Sequence, residues 1–164
     1  MCETDNNDRV FKDGKRYRVW SLTGQGYLKL TTTGDKPSVE CSGTGNELSS
    51  IITAQDIEHP TKMGFSLEFQ EKKDGEKYAL DLSLFDKNTV SVKLVKDSGE
   101  RALFYVGRFG CETKCNGSLF KALMALGPDK AVKYVASNSE KKLFLKTFDK
   151  KPPHPDTIFL ITEV

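Results

Sequence analysis

KYALDLSLFDKNTVSVKLVKDSGERALFYVGRF, residues 77–109, is the stretch on which the reading of this chain turns. Apolar and polar residues alternate through Tyr78–Leu84, Val90–Leu94 and Ala102–Val106, with polar or glycine-bearing turns between the runs. Period-two alternation sends successive side chains to opposite faces of an extended chain, so the stretch reads as a β-meander. Two other segments repeat it. With Tyr78 set over Tyr27 and Tyr134, GYLKLTTTGDKPSVECSGTGNELSSIITAQDI (26–57) and KYVASNSEKKLFLKTFDKKPPHPDTIFLITEV (133–164) fall into line. The tyrosines lie 51 and 56 residues apart, and Ile52, Phe104 and Phe159 near the segment ends lie 52 and 55 apart. One period fits both ends.

Each segment follows another apolar run: YRVWSL at Tyr17–Leu22, GFSLEF at Gly64–Phe69 and SLFKAL at Ser118–Leu123. The unit is then four strands used three times, and the expected fold is an all-β β-trefoil of twelve strands in three pseudo-repeats. A four-strand unit of this size cannot bury its apolar face alone, whereas three around an axis share one core. A plain β-sandwich with similar strand spacing is the competing reading.

With 164 residues, 37% hydrophobic and 29% charged, the chain has the composition of one ordinary globular domain. Residues 17–164 are read as the trefoil and MCETDNNDRVFKDGKR (1–16) as a flexible N-terminal arm. That arm lacks the apolar centre of a secretory signal, and no run of eighteen apolar residues marks a membrane span. Work outside the cell would therefore need unconventional export or removal of a leader or pro-segment, with a cytoplasmic precursor. Lys+Arg 25 against Asp+Glu 23 leaves a net charge of +2, which gives no electrostatic footprint for nucleic acid.

Local features refine this. Cys41 falls in an alternating run and is expected as a small buried apolar residue. Cys111 and Cys115 are close enough for a local disulfide, but a CxxxC pair in a chain with two histidines is a poor zinc site, so no metal is expected. Trp20, the only tryptophan, is read first as core and second as a rim contact. Gly24 and Gly26 are expected to supply the backbone freedom of a tight hairpin around Gln25, and Asp74-Gly75 is a second hairpin signal. HPTKMG (59–64) joins units one and two, with Pro60 excluding a central strand. Asn116-Gly117-Ser118 is a glycosylation sequon that matters only on the secretory route. LFKALMAL (119–126) is helical by propensity and a strand by repeat position; position is expected to win through Leu123, with a helical turn before Gly127-Pro128.

Catalysis finds no foothold in the sequence. His59 and His154 each precede a proline, and no nucleophile stands near either in a recognisable elbow. The chain is read as a non-enzymatic binding module without a cofactor. The last third is basic through Lys130, Lys133, Lys141, Lys142, Lys146, Lys150 and Lys151, read first as a solvated face and second as a patch for a sulfated glycan.

Several runs together resemble the interleukin-1 cytokine family, closest to its interleukin-18 and interleukin-33 type members. KMGFSLEF followed by KYALDLSLFDKNTVSVKLV is similar to the family's sixth to eighth strands, ERALFYVGRF to its ninth and DTIFLITEV to its last, with Phe120 and Tyr134-Val135 between. Lys121-Ala122 depart from the Glu-Ser that often follows that phenylalanine. The resemblance implies a secreted, monomeric immune-signalling protein that docks on an immunoglobulin-like receptor and recruits or blocks an accessory chain. It places the receptor face at Gln25, at Asp35 and Lys36, and at Asn138, Ser139, Glu140 and Lys141. A trefoil protease inhibitor and a sulfated-glycan-binding module remain as alternatives.

Overall fold

The computed structural model describes residues 11–34, 36–57, 64–82, 89–97, 102–107, 120–126, 132–147 and 154–164. They form twelve strands: β1 (Arg16–Ser21), β2 (Gly26–Thr31), β3 (Ser38–Gly43), β4 (Ile52–Asp56), β5 (Phe65–Gln70), β6 (Lys77–Leu82), β7 (Val90–Leu94), β8 (Leu103–Gly107), β9 (Phe120–Leu126), β10 (Val132–Ser137), β11 (Leu143–Thr147) and β12 (Ile158–Glu163). Helical structure among the described residues is confined to three 3-10 turns of three residues each.

Six strands close on themselves. β1 pairs with β4, β4 with β5, β5 with β8, β8 with β9, β9 with β12 and β12 with β1, all antiparallel. A closed ring leaves no sheet edge unpaired. The other six strands form the hairpins β2–β3, β6–β7 and β10–β11, one from each unit. Their outer strands meet, with Glu40 bridging to Lys142 and Thr89 to Phe144. Three hairpins thus cap one end of a six-stranded barrel.

The repeat in the sequence is the symmetry of the core. Val19, Leu67 and Leu123, from the opening strand of each unit, and Ile52, Phe104 and Phe159, from the closing strand, are all fully buried. Tyr27, Tyr78 and Tyr134 take matching half-buried places in β2, β6 and β10. Cys41 is a buried free thiol, as its place in the alternation implied. Cys2, Cys111, Cys115, the Asn116 sequon and most of HPTKMG lie outside the described residues.

Four local expectations change. Phe11 belongs to the core: it is 2% exposed and packs edge-on against Tyr17 and Phe65, with ring centroids 5.2 and 6.0 Å away. Asp13, Gly14 and Lys15 are hydrogen-bonded to β4, so the packed chain takes in residues 11–16. Trp20 faces outward and is half-buried, between Leu160 of β12 and Tyr27 of β2, because Tyr17, Val19 and Ser21 hold the inward phase of β1. Phe120–Leu126 is a strand to its end, since Leu103–Gly107 pairs with Ala122–Leu126 and ladder bonds override helix propensity.

The fourth concerns the first hairpin, where Gln25 and neither glycine takes the left-handed backbone, at φ 56°. The glycines are required for space instead. A Cβ on Gly26 would lie 2.1 Å from the carbonyl oxygen of Cys41, and one on Gly24 2.7 Å from the Cys41 Cβ.

Candidate functional site

The loop between β1 and β2 and the turn between β10 and β11 come together at one rim of the cap. In the first, the Gln25 amide donates to the Ser21 carbonyl at 2.9 Å and its side-chain Nε2 to the Leu22 carbonyl at 3.2 Å. In the second, the Asn138 amide donates to the Lys142 carbonyl and the Lys141 amide to the Asn138 carbonyl, both at 3.0 Å. The Asn138 Oδ1 also accepts from the Lys142 amide, a side-chain closure typical of asparagine in tight turns. Lys141 has a left-handed backbone, φ 68°.

Lys141 joins the two. Its Nζ donates to the Gly24 carbonyl at 2.9 Å, 117 residues away in sequence, and its own carbonyl accepts from the Cys41 amide at 2.7 Å. Beneath this junction the hydroxyls of Ser21 and Ser137, both fully buried, are hydrogen-bonded to each other. Ser21 Oγ also accepts from the Gly24 amide at 2.9 Å. Burial pushes the Cys41 thiol up to about 11, against the opposing pull of the neighbouring Ser21 and Ser137 hydroxyls and of the Lys141 charge. A thiol so placed is no nucleophile at neutral pH.

On its other flank the β1–β2 loop is held by Asp156. Thr23 Oγ1 donates to Asp156 Oδ1 at 3.2 Å, and Lys146 Nζ pairs with Oδ2 at 3.2 Å. His154 caps the 3-10 turn Pro155–Thr157, its Nδ1 accepting from the Asp156 amide at 3.3 Å.

Of the residues that the resemblance singled out, Gln25, Lys36, Ser139, Glu140 and Lys141 are exposed and Asn138 is half-buried. Gln25 and the Asn138–Lys141 turn adjoin through Gly24. Lys36 lies in the β2–β3 connection, where no described hydrogen bond or ion pair ties it to the other two loops, and Asp35 lies outside the described residues. Sequence reading missed Ser21, Ser137, Thr23 and Asp156. Ser21 did leave a trace, as the one polar residue in phase with Tyr17 and Val19.

A second loop is built with equal care. Thr44 donates both its amide, at 2.9 Å, and its hydroxyl to the Glu47 carboxylate, whose acidity these bonds hold at about 2, well below the usual range. Arg18 Nε donates to the Gly45 carbonyl at 2.6 Å beside it. Among the described residues no group of three His, Cys, Asp or Glu side chains converges on a metal position. A cleft between Arg16, Thr53, Glu68 and Lys77 encloses about 50 Å³, far below the few hundred that a small-molecule site occupies. No helix among the described residues is long and apolar enough to cross a membrane.

Among solved structures the chain is similar to the crystal structure of trypsin inhibitor 1 from Senna obtusifolia. The likeness covers 100% of this chain and 99% of that one, with a TM-score of 0.59 and 14% sequence identity. The fold is a β-trefoil. At that identity the likeness fixes the architecture and nothing finer. No family profile and no curated protein matches the chain.

Proposed function

We propose that this chain is a non-catalytic β-trefoil inhibitor that occupies a protease through loops carried on the barrel. The observation behind this reading is the full-length match to a trypsin inhibitor, with almost nothing left over in either chain. Geometry supports it. An inhibitory loop gains affinity by being held in its bound shape beforehand, and the β1–β2 loop is clamped on both flanks, by Lys141 and by Asp156. The test is inhibition of trypsin, chymotrypsin, subtilisin and papain by the full chain. Stoichiometric inhibition of at least one with an inhibition constant below about 1 μM is expected, in keeping with the tight binding of protease–inhibitor pairs. Absence of inhibition across the panel at a hundredfold higher concentration removes the reading.

The interleukin-1-like reading stays as the second, favoured by one observation. Two loops that the resemblance assigns to a receptor face adjoin across 117 residues of sequence. Here the full chain, secreted by unconventional export or after loss of a leader, would act as a monomer on an immunoglobulin-like receptor and its accessory chain. A screen of such ectodomains decides it, and charge reversal at Glu140 should weaken any interaction found there without moving the melting temperature. The glycan reading has less to draw on. Lys141 and Lys146, two of its lysines, are committed to the Gly24 carbonyl and to Asp156, while Lys130, Lys150 and Lys151 lie outside the described residues.

A further inference from the structure

Lys141 bonds three separate segments with three different groups. Its amide donates to the Asn138 carbonyl within its own turn, its carbonyl accepts from Cys41 of β3, and its ammonium reaches the Gly24 carbonyl of unit one. It does so from a left-handed backbone that favours glycine over a long side chain. A glycine would close this turn with less strain, so the side chain is kept there for what the ammonium does.

We propose that Lys141 is a positioning residue, whose ammonium fixes the Leu22–Gly26 loop against the Asn138–Lys142 turn and makes one rigid docking surface of them. This rests on the reading of that loop pair as the partner-binding face. The bond is charge-assisted and ends on a backbone carbonyl, which sets the loop's shape more directly than a contact to a side chain would. Ser21 and Ser137 pin the same two segments below, so the rim is tied at two depths. Direct contact then falls to the exposed Gln25, Ser139 and Glu140; among the described residues Glu140 has no ion-pair partner. Glu140 stands there beside the exposed Lys141 and Lys142, so the face carries charge of both signs.

Amide hydrogen exchange on the full chain tests this, because it reads the loop whether or not a partner is known. In Lys141→Met, which keeps the aliphatic stem and removes the ammonium, the amides of Gly24 and Gln25 should exchange about tenfold faster or more, while that of Val19 in the barrel is unchanged. Lys141→Gly, which also relaxes the backbone, should accelerate the same two amides and serves if the methionine variant does not fold. Lys96→Met, which removes an exposed lysine paired with Glu76 in unit two, should leave them alone. Exchange at Gly24 and Gln25 within about twofold of the parent in both Lys141 variants overturns the proposal. Trypsin as a probe separates the two ideas. If the loops loosen and trypsin inhibition weakens, both stand; if they loosen and inhibition is unchanged, Lys141 keeps its positioning task and the docking face lies elsewhere.

Discussion

Removing the buried hydroxyl of Ser21 should cost more than its size suggests, and part of that cost should vanish if Ser137 is removed as well. Ser21 Oγ accepts the Gly24 amide and bonds the Ser137 hydroxyl, in a place where neither residue touches solvent. Ser21→Ala therefore strands two polar groups, and at about 1–3 kcal/mol for each buried unsatisfied group the loss should be about 2–6 kcal/mol. Ser137→Ala leaves Ser21 bonded to the Gly24 amide, so its cost should be about 1 kcal/mol. In the double variant only the Gly24 amide is stranded, and the loss should return to about 1–3 kcal/mol, below the sum of the single changes by about 2–4 kcal/mol. Urea unfolding of the four chains measures this, provided the slope of free energy against urea is the same in all and only the midpoint moves. Additivity within about 0.4 kcal/mol would mean that the two hydroxyls do not share a bond that matters, and the cross-unit junction would then rest on Lys141 alone.

The other expectations follow from single sites. Phe104→Ala and Phe11→Ala should each lower stability by about 3–5 kcal/mol, the first through the shared core and the second because Phe11 packs on Tyr17 and Phe65; a loss below about 1 kcal/mol for Phe11 would return residues 11–16 to a loose arm. Glu47 has a native acidity of about 2 against an ordinary 4.5, so its contribution is complete above about pH 4.5 and is lost as pH falls towards 2. With a side chain 26% exposed, that contribution should be no more than about 2 kcal/mol, and Glu47→Gln should flatten the acid limb of the stability profile. Cys41 runs the other way: its thiol ionises near 9 when unfolded and near 11 when folded, so stability should decline as pH rises from 9 to 11. In the native chain at pH 8 it should resist iodoacetamide that labels it at once in urea, and prompt labelling of the folded protein located at Cys41 by peptide mapping would contradict its burial.

The repeat and the strand count were legible in the residues, because alternation is a local property and a strand with one buried face must display it. Tyr27, Tyr78 and Tyr134 marked the period, and the core confirms it at Ile52, Phe104 and Phe159. Propensity misled at Met124–Leu126, where the helical reading lost to bonds with Leu103–Tyr105, residues that no local window contains. The glycines around Gln25 were correctly read as a turn but for the wrong cause. Their requirement is the nearness of Cys41, which a sequence does not display.

The site follows the same division. The adjacency of Gln25 and Lys141 came as an implication of family resemblance, and the structure supplies its cause in the Lys141–Gly24 bond over the Ser21–Ser137 pair. Closing the barrel brings β1 against β12 and sets unit three beside unit one, so residues more than a hundred positions apart become neighbours. Sequence alone determined the alternation of the strands and their threefold repeat, since both are written strand by strand. Which loops meet at the rim was left to the tertiary structure, because only ring closure fixes the distance between the first unit and the last.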